Sequence, residues 1–407
     1  MDTVLVVGFN VRPLARSAKK AGYRVLAIDY WGDMDLPQWA DAHLSILEQQ
    51  PNQRPDRLRH PTAESLIVGV QQMLATQDPV DYILVSGGFD DHPDAWNQLH
   101  SLGRLVGNSS ETLQHARDRE LTNRFAKRFG ANAPRSFEVK DEKDFQWGTN
   151  QLELPILIKP KYGSGGFHTR IIHTEQDLNR YRDRHRFSRD EPVLVQELIQ
   201  GNDVSVSLLG TGDSAITLSV NRQLVGVPEL GKQNTKAYCG NVVPLDAPSE
   251  IIAQLANTSE EICSQLKLVG SNGFDYVVDN MGVPFFMEIN PRIQATIEAL
   301  ELVSNINVVN LHIDAWNGVL PKQLPRFKGY CTRIIVYAKT LVEIPNLSNI
   351  PGVVDIPMPG SHAERGDPIC TVNHVASSEA DALKGAWEIV NTIYNFLTPI
   401  SSSPSNE

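Results

Sequence analysis

The sequence predicts a mixed α/β and α+β protein with three regions. These are an N-terminal open parallel α/β domain, a two-lobed central domain with antiparallel sheets, and a small C-terminal α+β region. Three observations carry this. Short β-branched runs alternate with helical stretches over the first third of the chain, the pattern of a parallel sheet. Between 152 and 317 strand-like runs follow one another across brief polar turns, which suits antiparallel pairing. After Leu320-Pro321 come a strand, a Pro/Gly-rich passage and an amphipathic helix.

In the first region, residues 4–8 form a strand, and 12–21 have helical character with Gly22 as the stop. Residues 24–29 are a second strand ending in an acid, and 81–86 a third, followed by Gly87-Gly88. Ligand loops in such sheets lie at the strand C-termini. The first of these, Gly8-Phe9-Asn10-Val11-Arg12-Pro13, lacks the Gly-x-Gly-x-x-Gly that dinucleotides need, which argues against NAD. Asn10 and Arg12 stand where a substrate can be touched, though a tight turn and a helix-start arginine is the plainer account.

Residues 113–130 read as one charged amphipathic helix with a glycine stop, and 131–135 as a linker. The expected domains are 1–112, 113–320 and 321–400, with a small subdomain at about 135–200 inside the second. That second domain should hold strands at 153–159, 193–198, 204–209, 215–220, 275–279 and 283–289, and a helix at 249–266. Gly201-Asn202 and Asn280-Met281-Gly282 read as hairpin turns. In the third region a strand covers 331–339 and a helix 378–396; the polar tail, 401–407, reads as disordered.

Composition narrows the function classes. The 407 residues leave room for two or three domains, and an apolar fraction of 41% is ordinary. Net charge is −11 with no lysine- or arginine-rich block, which argues against nucleic acid or a membrane surface as partner. A phosphate ligand needs only a locally positive pocket and is not excluded. The four cysteines form no CxxC pair and read as reduced, packed thiols of a cytoplasmic protein. No His-Glu-x-x-His or Cys/His cluster signals zinc. Met1-Asp2-Thr3 runs straight into a strand without a basic leader, and no run approaches a membrane span of ~20 apolar residues.

The chemistry-bearing run is Glu288-Ile289-Asn290-Pro291-Arg292. In an extended strand residues two apart face the same side, so Glu288, Asn290 and Arg292 project together. A carboxylate and an amide oxygen suit Mg²⁺, and a guanidinium clamps an anion. Alone, the run is also compatible with the polar face of an edge strand. Upstream, an apolar strand ends in Lys159-Pro160, and Gly163-Ser164-Gly165-Gly166 follows. Glycines let backbone N–H groups wrap phosphate oxygens, and the lysine supplies a point charge beside them. The order differs from a Walker loop, in which the lysine follows the glycines. Next, Gln196-Glu197-Leu198-Ile199 reads as a linker strand whose backbone can hold adenine, with Asp203 on a ribose; a hairpin with a polar turn fits the same residues.

These segments, in this order, resemble the ATP-grasp superfamily over roughly 1–320, most specifically over 150–295. The resemblance implies a pre-ATP-grasp domain, a clasp subdomain and a larger metal-bearing subdomain, with ATP between the last two. By position, Lys159 matches the lysine on the α- and β-phosphates, and Gly163, Ser164, Gly165 and Gly166 the flap. Gln196, Glu197, Leu198 and Ile199 match the adenine linker and Asp203 the ribose acid. Asp275, Glu288 and Asn290 match the magnesium triad, holding two Mg²⁺ with Mn²⁺ as a substitute. The interval of 13 (288 − 275) suits a hairpin that returns beside its start. Arg292 matches the arginine that stabilises the transferring group.

Two departures stand out. Members often carry Asp-Lys before the clasp; here Asp118-Arg119 puts an arginine in that place. The stretch from Asn290 to Gln294 is similar to the biotin-carboxylase site, but Thr296 replaces the glutamate that serves there as base for bicarbonate, and Glu298 lies two further on. Arg222 and the loop around Tyr238 fall where members often contact substrate. The implied activity is an ATP-dependent ligase that converts a carboxylate to an acyl phosphate and joins it to an amine, with small-molecule substrates and a homodimeric assembly. An ATP-dependent carboxylase using bicarbonate and a non-catalytic ATP-binding module are the alternatives.

Overall fold

Strand Thr3–Gly8 is buried along its whole length, as a strand covered on both faces must be. The structure, a computed structural model, describes residues 1–55, 62–163, 165–166 and 168–400. Ser164 of the glycine run and the tail read as disordered, 401–407, lie outside the described residues. Thr3–Gly8 pairs in parallel with Arg24–Asp29 and with Tyr82–Val85, and Ala42–Ser45 adds the far edge. Its residues alternate between two cores. Val4 and Val6 pack with Leu14, Ala15 and Ala18 of helix Arg12–Lys20. Leu5 and Val7 pack with Leu66 and Val70 of helix Thr62–Thr76 and with Trp96 of helix Pro93–Leu102. The acid that ends the second strand has a structural role. Asp29 accepts the N–H of Val11 at 2.9 Å and of Gly32 at 2.7 Å, tying two strand-end loops together.

The central region has two lobes. The smaller is an antiparallel sheet in the order Ser136–Val139, Val193–Glu197, Ile156–Pro160, Arg170–Ile172, with Val139, Ile156, Ile158, Val193 and Val195 packed on Phe145. The larger is built on an antiparallel sheet of eight strands, in the order Pro284–Asn290, Val269–Asp279, Gly201–Thr211, Ala215–Val225, Tyr238–Val243, Tyr330–Tyr337, Pro368–Ala376, Val353–Val354. That sheet crosses residue 320: Tyr238–Val243 pairs with Tyr330–Tyr337, so the C-terminal strands extend the central sheet. Helix Glu379–Phe396 packs against Tyr330–Tyr337 and Pro368–Ala376. All four cysteines are buried and free.

Two expectations need correction. Gly201-Asn202 is no hairpin turn. Strand Val193–Glu197 belongs to the smaller sheet and Gly201–Thr211 to the larger, so residues 198–200 carry the chain from one lobe to the other. The single helix expected over 113–130 is two, Ser110–Arg117 and Arg119–Arg128. Asp118 breaks it by adopting φ −73°, ψ 101° and accepting the N–H groups of Glu120 and Leu121 at 2.9 and 3.0 Å. An aspartate N-cap satisfies donors that the first turn leaves open, which offsets the lost helix continuity.

Buried polar side chains fasten the N-terminal domain to the large sheet. Asn108 donates to Asn272 Oδ1 at 2.7 Å and to the carbonyl of Pro291 at 2.9 Å, and accepts the N–H of Val269 at 2.8 Å. His312 accepts the N–H of Ser271 on Nδ1 at 2.7 Å, which leaves Nε2 to donate to the carbonyl of Val106 at 3.0 Å. Burial drives this imidazole down to about 4, so it stays neutral. A side chain at Gly270 would meet the ring at 2.4 Å.

Candidate active site

A cleft of about 780 Å³ opens where the two lobes, the N-terminal domain and the C-terminal strands meet. Its floor is the hairpin of Val269–Asp279 and Pro284–Asn290. Asp275 and Glu288 sit opposite each other in that ladder, as do Gly273 and Asn290. Asp275 is held on both oxygens: Gln223 Nε2 donates to Oδ1 and Asn290 Nδ2 to Oδ2, each at 2.9 Å. Burial, then the charge of Glu288, push Asp275 up to about 8. Two facing carboxylates in a half-buried floor favour a cation between them. Among the described residues no three His, Cys, Asp or Glu side chains converge on a metal position. The oxygens that would hold a metal here are the two carboxylates and the Asn290 amide, a set that fits Mg²⁺ keeping water or phosphate as its other ligands. Gly273 is required locally, because a Cβ there would lie 1.9 Å from Nε2 of Gln294.

Facing this floor is a basic wall. Lys159 stands at the end of Ile156–Pro160, with Arg117 and Arg119 beside it from the two helices that Asp118 separates. Burial, then the charge of Arg119, bring Lys159 down to about 7. Burial also lowers Arg119, whose Nη1 reaches Gln196 Oε1 at 3.4 Å. For Arg117 burial is outweighed by the carboxylates of Glu288, Asp91 and Asp90, and its pKa rises. Arg117 and Arg119 both lower Lys159, and Arg117 lowers Arg119, a tension that a polyphosphate relieves.

Gly163, Gly165 and Gly166 line the cleft. The N–H of Gly163 donates to Asp91 at 2.6 Å, and Arg117 donates to the Gly163 carbonyl at 3.1 Å. The carbonyl of Gly165 accepts the N–H of Tyr238 at 2.9 Å. Gly166 has φ +66°, and a Cβ there would stand 1.7 Å from the carbonyl oxygen of Lys236. Only glycine allows that approach. Gln196, Glu197, Leu198 and Ile199 line the cleft as the chain passes between lobes, and Asp203 lines it with both oxygens held by Lys236 at 2.9 and 3.0 Å.

Arg292 also lines the cleft, but its Nε is already engaged: it donates to both oxygens of Asp90, at 2.7 and 2.9 Å. Nη2 points toward Asn290 Oδ1 at 3.4 Å. Tyr238 lines the cleft with its hydroxyl on Asn241 Oδ1, and burial pushes it up to about 12.

Two expected substrate contacts are corrected. Arg12 is 1% exposed and does not reach the cleft; it is paired with Glu298, with Asp355 at 2.6 Å and with Asp35 at 3.3 Å. A buried guanidinium needs such partners, and two of them, Glu298 and Asp355, come from far along the chain. Arg222 leaves the cleft because its partner does: it pairs with Glu379 at the start of the C-terminal helix and reaches Asn202 at 3.5 Å. Sequence reasoning passed over Arg117 and Gln223, and read the pair Asp90-Asp91 as no more than a capped turn at a strand end. The usable signal for that pair was its position just beyond the third parallel strand, where ligand loops gather.

Residues 116–296 match the family model of the ATP-grasp domain. That stretch is an ATP-grasp domain. The matched stretch contains Arg117, Arg119, Lys159, the glycine run, the lobe-crossing segment and the Asp275–Glu288–Asn290 floor; Asp90 and Asp91 lie before it. An uncharacterised protein of Methanocaldococcus jannaschii is 26% identical over 391 residues, 96% of this chain and 90% of that one. Among solved structures, the ADP complex of an N5-carboxyaminoimidazole ribonucleotide synthetase is similar with a TM-score of 0.72 at 14% identity, covering 97% of both chains. The biotin carboxylase domain of Hydrogenobacter thermophilus 2-oxoglutarate carboxylase, in complex with MgADP, ADP and bicarbonate, gives 0.72 at 16% identity over 97% of this chain and 90% of that one. Both likenesses establish the ATP-grasp fold, with its N-terminal parallel sheet and large antiparallel sheet. Among the described residues no helix is long and apolar enough to cross a membrane.

Proposed function

We propose that the chain is an ATP-dependent ligase that activates a carboxylate as an acyl phosphate and joins it to an amine. The observation that carries the reading is the meeting, across one cleft, of Lys159, Arg117 and Arg119 with the Asp275–Glu288–Asn290 floor. Lys159 and Arg119 receive the α- and β-phosphates, and the N–H groups of the glycine run close over them. Residues 196–199 hold adenine by their backbone, and Asp203 shares itself between Lys236 and the ribose. Asp275, Glu288 and Asn290 are the groups that would hold two Mg²⁺, whose chemistry there is to neutralise charge on the terminal phosphates.

A carboxylate oxygen attacks the γ-phosphorus and the bond to ADP breaks. The amine nitrogen then attacks the acyl carbon, the bond to phosphate breaks, and the amine proton leaves with phosphate or solvent. Arg292, aligned by Asp90, faces the charge on the transferred group. Positioning and charge neutralisation supply most of the acceleration in such transfers. The glycine run excludes water that would hydrolyse the acyl phosphate.

The solved neighbours include a biotin carboxylase crystallised with bicarbonate, which keeps the carboxylase reading in view. Against it, Thr296 stands at the base position and donates to Asn241 at 3.1 Å, while Glu298 is buried against Arg12 and Arg333. An organic carboxylate is the better fit. A homodimer and a cytoplasmic location extend this reading from the resemblance. The test is phosphate release from ATP and Mg²⁺ with a panel of amino acids, organic acids and amines. Release with a matched acid–amine pair supports the proposal; ADP formation driven by bicarbonate alone, or by no pair at all, contradicts it.

A further inference from the structure

Where the cleft meets the N-terminal sheet, its wall comes from the loops after the first two strands: Phe9, Asn10, Tyr30, Trp31 and Asp33. Phe9 stacks on Tyr30 with ring centroids 5.0 Å apart, and Trp31 stands edge-on to both at 5.1 and 5.7 Å. Beside these rings two buried acceptor atoms have no hydrogen-bond partner, Oδ2 of Asp33 and Oδ1 of Asn10. Asp33 is 8% exposed. A buried, unsatisfied carboxylate oxygen is costly unless something supplies a donor.

The surrounding charges say which donor. Asp29, Asp35 and Asp355 are the acids that face Asp33, and burial followed by Asp29 hold its carboxyl well above the usual range. Among the described residues the cations on this side are already paired: Arg12 with Glu298, Asp35 and Asp355, and Arg333 with Glu298 at 3.1 Å and Asp355 at 3.0 Å. Arg333 Nε is also without a partner, but its guanidinium is neutralised by those two acids and adds no net positive field. Among the described residues an anion brought here meets more acids than free cations. A cation relieves the crowding of acids that raises Asp33 and meets its oxygen, the Asn10 amide oxygen and aromatic rings, the combination that holds ammonium groups.

We propose that this part of the cleft binds the ammonium group of an organic amine, with Asp33 and Asn10 accepting its N–H groups and Phe9, Tyr30 and Trp31 forming its wall. The assignment deepens the ligase reading by giving the acceptor amine a place, and it rests on that reading only for the amine's role as substrate. Binding itself needs no turnover.

The experiment measures equilibrium binding to the full chain without ATP. The probes are primary amines from propylamine to phenethylamine, each paired with its alcohol and its phosphate monoester. The expected result is binding of at least one amine, with its alcohol about tenfold weaker or worse and its phosphate ester weaker still. Asp33→Asn should remove that preference, and Asn10→Ala should weaken the same amine several-fold should the first variant fold poorly. Equal binding of amine and alcohol, tighter binding of the phosphate ester, no binding of any amine, or an unchanged preference in both variants would overturn the assignment. Loss of phosphate release with amine binding intact would instead count against the ligase reading alone.

Discussion

Asp91 of the N-terminal domain accepts the backbone N–H of Gly163 at 2.6 Å, across 72 residues of chain. The same carboxylate accepts from Arg117 Nη2 at 2.8 Å and from Nε at 3.0 Å. One side chain thus fixes both the glycine run and a cation of the basic wall. Hydrogen bonds to a charged group are worth about 1.5–3 kcal/mol each.

Asp91→Ala should therefore loosen the run and misplace Arg117 together. Limited proteolysis should cut faster near residue 163, and ADP should bind about tenfold more weakly. Asp91→Asn keeps an acceptor for Gly163 and should recover the protease resistance while leaving part of the affinity loss. Unchanged cleavage and affinity in Asp91→Ala would show that the contact is incidental.

On the proposed reading, Lys159 should give the nucleotide site its pH dependence. Burial, then Arg119, lower it from 10.5 to about 7. A bound phosphate favours the charged ammonium and raises that value again. Below pH ~7 the lysine is already protonated and the full attraction is present; above it, binding must take up a proton. ADP affinity measured without metal should accordingly fall as pH rises past about 7, and Lys159→Gln should bind weakly with that slope removed. Affinity that rises across the same range would contradict the placement of Lys159 against phosphate.

Arg12 belongs to stability rather than to substrate. It joins the first helix to Glu298 and to Asp355, 286 and 343 residues along the chain. Removing one member of a buried ionic group leaves its partners uncompensated at about 3–5 kcal/mol. Arg12→Met should lower the denaturant midpoint by a corresponding amount, with ADP affinity in the folded protein kept within about twofold. A large loss of nucleotide affinity at full stability would return Arg12 to the cleft.

Much of this site was legible because its signals are local. Glu288 and Asn290 alternate in a strand, and the Asn280-Met281-Gly282 turn, with Gly282 at φ +82°, returns that strand to place Glu288 opposite Asp275. Lys159 ends an apolar run just before a glycine cluster. Three features were hidden for physical reasons. The turn-like Gly201-Asn202 has the same chemistry whether the chain reverses or crosses to another sheet. Helical periodicity runs on through Asp118, so the break that separates Arg117 from Arg119 left no gap in the pattern. Arg12 and Arg222 have partners far away in sequence, Asp355 and Glu379, and no spacing rule reaches them.

The most direct measurement is the effect of Mg²⁺ on the affinity of a non-hydrolysable ATP analogue, wild type against Glu288→Gln. With Glu288 and Asp275 facing each other, Mg²⁺ should tighten binding in the wild type by about tenfold or more, and the variant, still folded, should show little gain. A variant that keeps the whole Mg²⁺-dependent gain would contradict the assignment of this hairpin as the metal-bearing floor of an ATP site.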